Sequence, residues 1–313
     1  MIIGIDMMGG DYAPQEAVNG VTLFLNELSS NVTLCLIGDE AQLKPAFQHR
    51  IASLRFVHTT EVIDMSDSPT RSLRDKPNAS ISIGFRMLAA GEIDAFISAG
   101  STGAMMVGAL YSLKAIEGVL RPTISTVIPK ITGGYGLLLD VGLLADAKPE
   151  NLLQCAILGS LYAQNILDVD APTVGLVNIG EEETKGNILA QNTYSLLKNS
   201  PHINFIGNVE GREILAAKAD VMVCDGFTGN VILKLGESIY DIAKCRNLHE
   251  DEYFKRFDFE NYGGTPVLGV DKPVIIGHGI STGKAFKNMI HLAIKMIESR
   301  LLEKIRDRFI TAE

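Results

Sequence analysis

The 313-residue sequence predicts a doubly wound α/β/α sandwich with a mostly parallel sheet. Three observations carry that expectation. Short apolar runs bounded by Gly, Asp or Asn recur along the chain, most of them continuous rather than alternating, as strands buried on both faces are. Stretches with helical spacing separate them, the alternation that builds a sheet covered by helices. The residues just after the strands are glycine turns, and several lead straight into a helix.

The elements follow in order. A first strand over 2–5 stops at Asp6, and 15–28 has helical spacing. A strand at 33–37 gives way to a helix at 41–49, and a strand at 55–57 precedes a polar block and a helix over 80–90. The uncharged stretch 95–113 imitates a membrane span. Its middle, Ser98-Ala99-Gly100-Ser101-Thr102-Gly103, reads instead as a strand at 95–98, a tight turn and a helix over 103–116. Strands follow at 123–127 and 137–141, a helix at 152–163, a strand at 173–177 and a helix at 187–197. Strands at 203–205 and 221–224 lead to a helix over 231–243. A last strand, 273–276, precedes one long helical pattern over 284–309.

Composition excludes several classes. The net charge is −9 and the pI about 5.2, against a surface that coats nucleic acid, whose footprint is basic. Cys35, Cys155, Cys224 and Cys245 lie far apart with no C-x-x-C pair, so a reduced, cytoplasmic chain without disulfides or zinc is expected. The apolar start is cut off by Asp6, unlike a signal peptide. Length alone suggests about two domains, but no linker or repeat divides the chain.

Sheets of this class bind ligands at the carboxyl ends of their strands. Here those ends read Asp6-Met7-Met8-Gly9-Gly10-Asp11, Gly100-Ser101-Thr102-Gly103, Asn178-Ile179-Gly180, Asp225-Gly226-Phe227-Thr228-Gly229-Asn230 and Gly277-His278-Gly279-Ile280-Ser281-Thr282-Gly283. Such turns let backbone N–H groups approach an anion, and a helix start adds a positive dipole end. The nucleotide-binding P-loop fails, because Ala285 follows Gly283-Lys284 and His278 stands where its first glycine belongs. No G-x-G-x-x-G follows a strand. Gly279-Ile280-Ser281-Thr282-Gly283 does match the nucleophile elbow, but only His291 follows it, on the same C-terminal helix as the remaining acids.

The opening Gly4-Ile5-Asp6-Met7-Met8-Gly9-Gly10-Asp11-Tyr12-Ala13-Pro14 resembles the start of PlsX-type phosphate acyltransferases. The likeness continues through Ile97-Ser98-Ala99-Gly100-Ser101-Thr102-Gly103-Ala104, Leu139-Asp140-Val141-Gly142 and Asp146-Ala147-Lys148-Pro149-Glu150. It recurs at Lys185-Gly186-Asn187, Asn204-Phe205-Ile206-Gly207-Asn208-Val209-Glu210 and Asp225-Gly226-Phe227-Thr228-Gly229-Asn230, and closes with Asn261-Tyr262-Gly263-Gly264 and Gly277-His278-Gly279. The resemblance implies acyl transfer from acyl carrier protein to inorganic phosphate, giving acyl phosphate for phospholipid synthesis. A glycerol-3-phosphate acyltransferase would act downstream. It also implies a homodimer with a Rossmann-like core related to phosphotransacetylases and isopropylmalate dehydrogenases, and peripheral membrane contact. Family members carry a longer amphipathic hairpin where this chain has a short helical insertion at about 231–260. With Lys244-Cys245-Arg246-Asn247-Leu248-His249-Glu250-Asp251-Glu252 in its middle, membrane contact is expected to be weak. Two further departures are Ser101, where the family has Asn, and Leu143-Leu144, where it has Ala-Asn. The motifs span the chain, so 1–313 is expected to be a single catalytic unit.

The chemistry needs neither cofactor nor metal. Phosphate is already a nucleophile, and a thiol of pKa ~8.5 leaves readily. The task is positioning two anionic substrates and stabilising an oxyanion. Lys185 is expected to neutralise phosphate or polarise the thioester carbonyl, Asn230 to donate to the same oxygen, and His278 to assist the thiolate. Phosphate or substrate contacts are expected from Asp6, Gly9, Gly10, Gly100, Ser101, Thr102, Gly103, Asn178, Gly180, Asp225, Thr228, Gly229 and Gly279, chiefly through the amides of 100–103 and 228–229. Carrier protein is acidic, so Arg71, Arg74 and Lys76 are the expected docking patch. Plainer readings stand beside these: a solvated Lys185, capping by Asp6, Asp225 and Asn230, a backbone bond for His278 and a buried apolar role for Cys224. Two other functions stay open, a thioesterase using Ser281 and a non-catalytic carrier-protein scaffold.

Overall fold

The computed structural model describes residues 1–27, 32–48, 54–216 and 218–310. The chain runs β1 (Ile2–Asp6), α1 (Gln15–Glu27), β2 (Thr33–Gly38), α2 (Glu40–Ala46), β3 (Leu54–His58), α3 (Pro69–Asp75), α4 (Ser80–Ala89), β4 (Ala95–Ser98) and α5 (Thr102–Ser112). It continues with β5 (Thr123–Pro129), β6 (Tyr135–Leu139), α6 (Pro149–Ile166), β7 (Thr173–Asn178), α7 (Ile188–Asn199), β8 (Asn204–Glu210), β9 (Val221–Val223), α8 (Gly226–Cys245) and α9 (Glu252–Lys255). The end of the chain supplies β10 (Thr265–Leu268), β11 (Val274–Ile276), α10 (Gly283–Glu298) and α11 (Leu301–Ile310). Leu28 and His49, the last residues of two expected helices, lie outside the described residues.

Where one unit was expected over 1–313, the chain's internal contacts divide it into two compact units. The first is Met1–Ala115 with Phe259–Glu298, the second Ile116–Asp258 with Ser299–Glu313. The first has strand order β3-β2-β1-β4-β11-β10, parallel except for β10 against β11. Side chains alternate across these strands. Cys35, Ile37, Phe96, Val274 and Ile276 join Ile81, Phe85 and Leu88 of α4 and Met105 of α5 in one buried cluster. On the helical pair α1 and α10, Lys287 and His291 both bind Glu27.

The second unit has order β5-β6-β9-β7-β8, parallel except for β5 against β6. Helix α6 packs on β6, β7 and β9, while α7 packs on β7 and β8. The mostly parallel α/β architecture is therefore as expected.

Four differences have physical causes. β10 is not among the expected strands: Pro266 has no N–H to give a ladder, and the preceding Gly263-Gly264 disfavours a strand locally. The polar block over 68–77 contains α3, with Pro69 at its first turn, where a missing N–H costs nothing. Helix α8 starts at Gly226 rather than at 231, because Asp225 caps it. The long C-terminal helix breaks at Arg300, which adopts a left-handed φ of 54°. No described helix is long and apolar enough to cross a membrane.

Candidate active site

In the first unit, β1 delivers Asp6 fully buried at its carboxyl end. Asp6 Oδ1 accepts from the amides of Met8 (2.9 Å) and Gly9 (3.1 Å), and Oδ2 accepts from the Ser98 hydroxyl (2.6 Å). Ser98 in turn accepts from Gly100 N (2.9 Å). One carboxylate thus ties the turn after β1 to the turn after β4. The crossing is close: a Cβ at Gly9 would stand 2.4 Å from Asp6 Oδ2 and 2.6 Å from Gly100 N. Gly10 joins the same cluster with φ 102°, and Asp11 N donates to Gly279 O at 2.7 Å.

Burial lifts the Asp6 carboxyl above its ordinary range, against the opposing pull of Ser98 and the two amides. A raised folded value means that the native state binds the proton more tightly. Its contribution is therefore full below the ordinary carboxyl pKa of ~3.9 and is lost as pH rises through the raised value. Thermal melts from about pH 4 upward should show a shallower fall in stability for Asp6→Asn than for wild type.

Helix α5 begins at Thr102 with Ser101 as its cap, whose hydroxyl accepts from Ala104 N at 3.4 Å. Pro69 of α3 lies against Gly103. Arg71 and Arg74 sit exposed on α3, with Arg74 paired to Asp75 at 2.8 Å. Lys76 is bound by Asp67 (2.6 Å), Asp64 (3.5 Å) and Val62 O. Among the described residues Arg71 has no ion-pair partner.

The partly buried His278 ring lies against Phe259 at 4.3 Å, and its carbonyl accepts from Ser281 N. Ser281 is 2% exposed, and its hydroxyl has no hydrogen-bond partner among the described residues. His291 binds Glu27, so the nucleophile elbow carries no assembled triad.

The second unit repeats the device. Asp140, fully buried just after β6, accepts from Thr123 Oγ1 (2.8 Å) and Ile124 N (2.7 Å) through Oδ1. Its Oδ2 accepts from the amides of Gly142 (3.0 Å), Leu143 (2.6 Å) and Leu144 (2.7 Å). A Cβ at Gly229 would stand 1.9 Å from Asp140 O, so the start of α8 reaches this turn only as glycine. Asn230 adds a bond from Nδ2 to Val141 O at 3.0 Å. Burial holds the Cys224 thiol well above its ordinary range, unsuited to nucleophilic work.

Several polar groups expected to face substrate are already engaged. Asp225 caps α8, accepting from Thr228 N (2.9 Å) and Thr228 Oγ1 (2.8 Å), and Gly229 N donates to Asp225 O. Asn178 accepts from Ile179 N and donates to Lys185 O, and Gly100 N is held by Ser98. The expectation that the amides of Gly100, Thr228 and Gly229 hold phosphate is therefore corrected: each has an internal acceptor. The amides of Ser101, Thr102 and Gly103 have none among the described residues, as the first N–H groups of a helix do not.

Lys185 is exposed, its chain folded over Gly180, and its ammonium has no ion-pair partner among the described residues. Its loop is pinned by Asn178, by Asn208 Nδ2 to Glu182 O (2.9 Å) and by Gln191 Nε2 to Thr184 O (3.0 Å). Beside that loop lies a groove of about 820 Å³ that Asn178, Gly186, Asp225 and Thr228 help to line.

Asp140, Ser98 and Asn208 were not assigned from sequence. The signal available was an aspartate at the end of an apolar strand run with a glycine two or three residues on, as in Asp6-Met7-Met8-Gly9 and Asp140-Val141-Gly142.

The fatty acid synthesis protein family model matches residues 1–245 and 246–304. A phosphate acyltransferase of Desulfitobacterium hafniense is 43% identical over 337 residues, covering 100% of both chains. One from Thermoanaerobacterium thermosaccharolyticum is 42% identical, covering 98% of this chain and 96% of its own. Among solved structures, a phosphotransacetylase from Streptococcus pyogenes superposes with a TM-score of 0.67 at 17% identity, covering 95% of this chain and 94% of its own, a likeness of fold.

Proposed function

This chain belongs to the fatty acid synthesis protein family, the PlsX-type phosphate acyltransferases, and we propose that it moves a fatty acyl group from acyl carrier protein to inorganic phosphate. A phosphate oxygen attacks the thioester carbonyl carbon. As the C–O bond forms and the C–S bond breaks, the sulfur leaves as the carrier-protein thiolate, and acyl phosphate is released for phospholipid synthesis. Full-length similarity to phosphate acyltransferases carries this reading. The site chemistry supports it: anion-seeking groups are present, and the Ser281 hydroxyl has no hydrogen-bond partner among the described residues, histidine included.

The unengaged amides of Ser101, Thr102 and Gly103 at the start of α5 suit an anion. Lys185 supplies a positive charge with no carboxylate to neutralise it, suited to phosphate or to the thioester oxyanion. Asn230 keeps a second amide hydrogen beyond its bond to Val141 O. His278 is assigned to the leaving thiolate. The engaged side chains of Asp6, Asn178 and Asp225 shape the turns rather than touch substrate. For carrier-protein docking, Arg71 is the strongest candidate, since Arg74 and Lys76 have acidic partners.

A homodimer is part of the proposal. Phe227, Val231, Leu235 and Ile242 stand on one face of α8 and are all more than half exposed. A second copy can cover that stripe with its own by two-fold symmetry. Membrane contact is proposed to be weak, given the polar residues after α8.

The deciding experiment measures carrier-protein thiol released from acyl carrier protein with and without phosphate. Release that requires phosphate is expected. Equal release without phosphate would establish the thioesterase, and binding without release the scaffold.

A further inference from the structure

The groove in the second unit has a floor unlike its rim. Leu152, Leu176 and Cys224 form the floor, each at most 3% exposed, with Leu189, Ala190 and Ile232 as walls. None offers a strong hydrogen-bonding side chain. Of the polar residues that line it, Asn178, Asn187 and Asp225 turn inward to their own backbone, Asn178 to Ile179 and Lys185, Asn187 to Ala190 and Asp225 to Thr228, while Glu210 and Arg212 pair with each other at 2.6 Å. At the mouth Ile179 is 82% exposed, an aliphatic side chain left in water beside an apolar hollow.

We infer that this groove takes the alkyl chain of the fatty acyl donor, with the methyl end on the Leu152–Leu176 floor and the carbonyl end at the Asn178–Thr228 rim. The inference rests on the acyltransferase reading and adds to it where chain length is sensed. An alkyl chain needs no hydrogen bonds, and the floor offers none. The pantetheine arm has two amides, which would be desolvated there without partners, a costly arrangement. The volume of about 820 Å³ lies within the range of small-molecule sites. Covering Ile179 also removes its exposed surface from water. Each methylene that enters is worth about four-fold in affinity.

The test is equilibrium binding of octanoyl- and hexadecanoyl-pantetheine thioesters to the whole chain, by titration calorimetry. Wild type should prefer the longer thioester at least ten-fold. Ala190→Phe, which fills a wall, and Ile179→Asn, which makes the mouth polar at an exposed position, should each cut that preference about ten-fold. Ile131→Asn, at another exposed isoleucine (63%) outside the groove, should leave it unchanged. A preference within two-fold of wild type in both groove variants overturns the assignment, and Ile179→Asn reads it even where Ala190→Phe fails to fold. Binding needs no turnover. Absence of phosphate-dependent transfer would therefore sink the activity while the binding result still judged the groove.

Discussion

Cutting the Asp140 side chain back to alanine is expected to lower the melting temperature by about 10 °C. Five donors converge on that buried carboxylate: one hydroxyl and four backbone amides. A buried donor left alone costs roughly 1–3 kcal/mol. The turn after β6 can relax and let water reach some of them, so the net loss is about 4 kcal/mol rather than the sum. Each kcal/mol is worth about 2–4 °C in a unit of this size. Asp140→Asn keeps one acceptor oxygen and should lose about half as much. Scanning calorimetry reads both variants. A drop under about 3 °C for alanine would show that the turn holds without its carboxylate.

Lys185→Ala is the second large effect, on rate instead of stability. Removing one positioned charge or donor at a developing oxyanion costs about 10²–10³-fold in turnover. The ammonium is exposed and joins no ion pair among the described residues, so the melting temperature should move by less than about 2 °C. Phosphate-dependent thiol release is expected to fall at least 100-fold while the variant stays folded. Wild-type turnover in that variant would remove Lys185 from the chemistry and direct attention to the amides of α5.

Much of the architecture was legible because buried strands leave a plain record. The run 95–98 and its glycine turn coincide with β4 and the start of α5. What escaped was encoded by tertiary fit. Pro266 disfavours a strand locally, yet β10 forms against β11 with Pro266 opposite Ile275. Nothing in Ser299-Arg300 announces a break, since neither residue is Gly or Pro, yet Arg300 turns left-handed.

Of the candidate site, the turns themselves were legible, because glycine and aspartate at strand ends are local signals. The direction of their polar groups was not. Asp225 reads equally well as a ligand or as a cap and Asn178 as a ligand, and only geometry shows both bonded to their own turns. The groove was invisible in sequence, being assembled from β7, the end of β8, the turn after β9 and three helices that lie far apart along the chain.

Both units are discontinuous, which sets an order of events during synthesis. Strands β5 to β9 leave the ribosome as one stretch and can pair as soon as they emerge. The first unit cannot finish then, because β11 pairs with β4 and must wait for Phe259–Glu298. Until those residues arrive, one edge of β4 and the apolar side chains of Phe85 and Phe96 lack their final cover. Unpaired edges and uncovered apolar faces are what chaperones bind. The half of the molecule that is made first is the half whose sheet closes last.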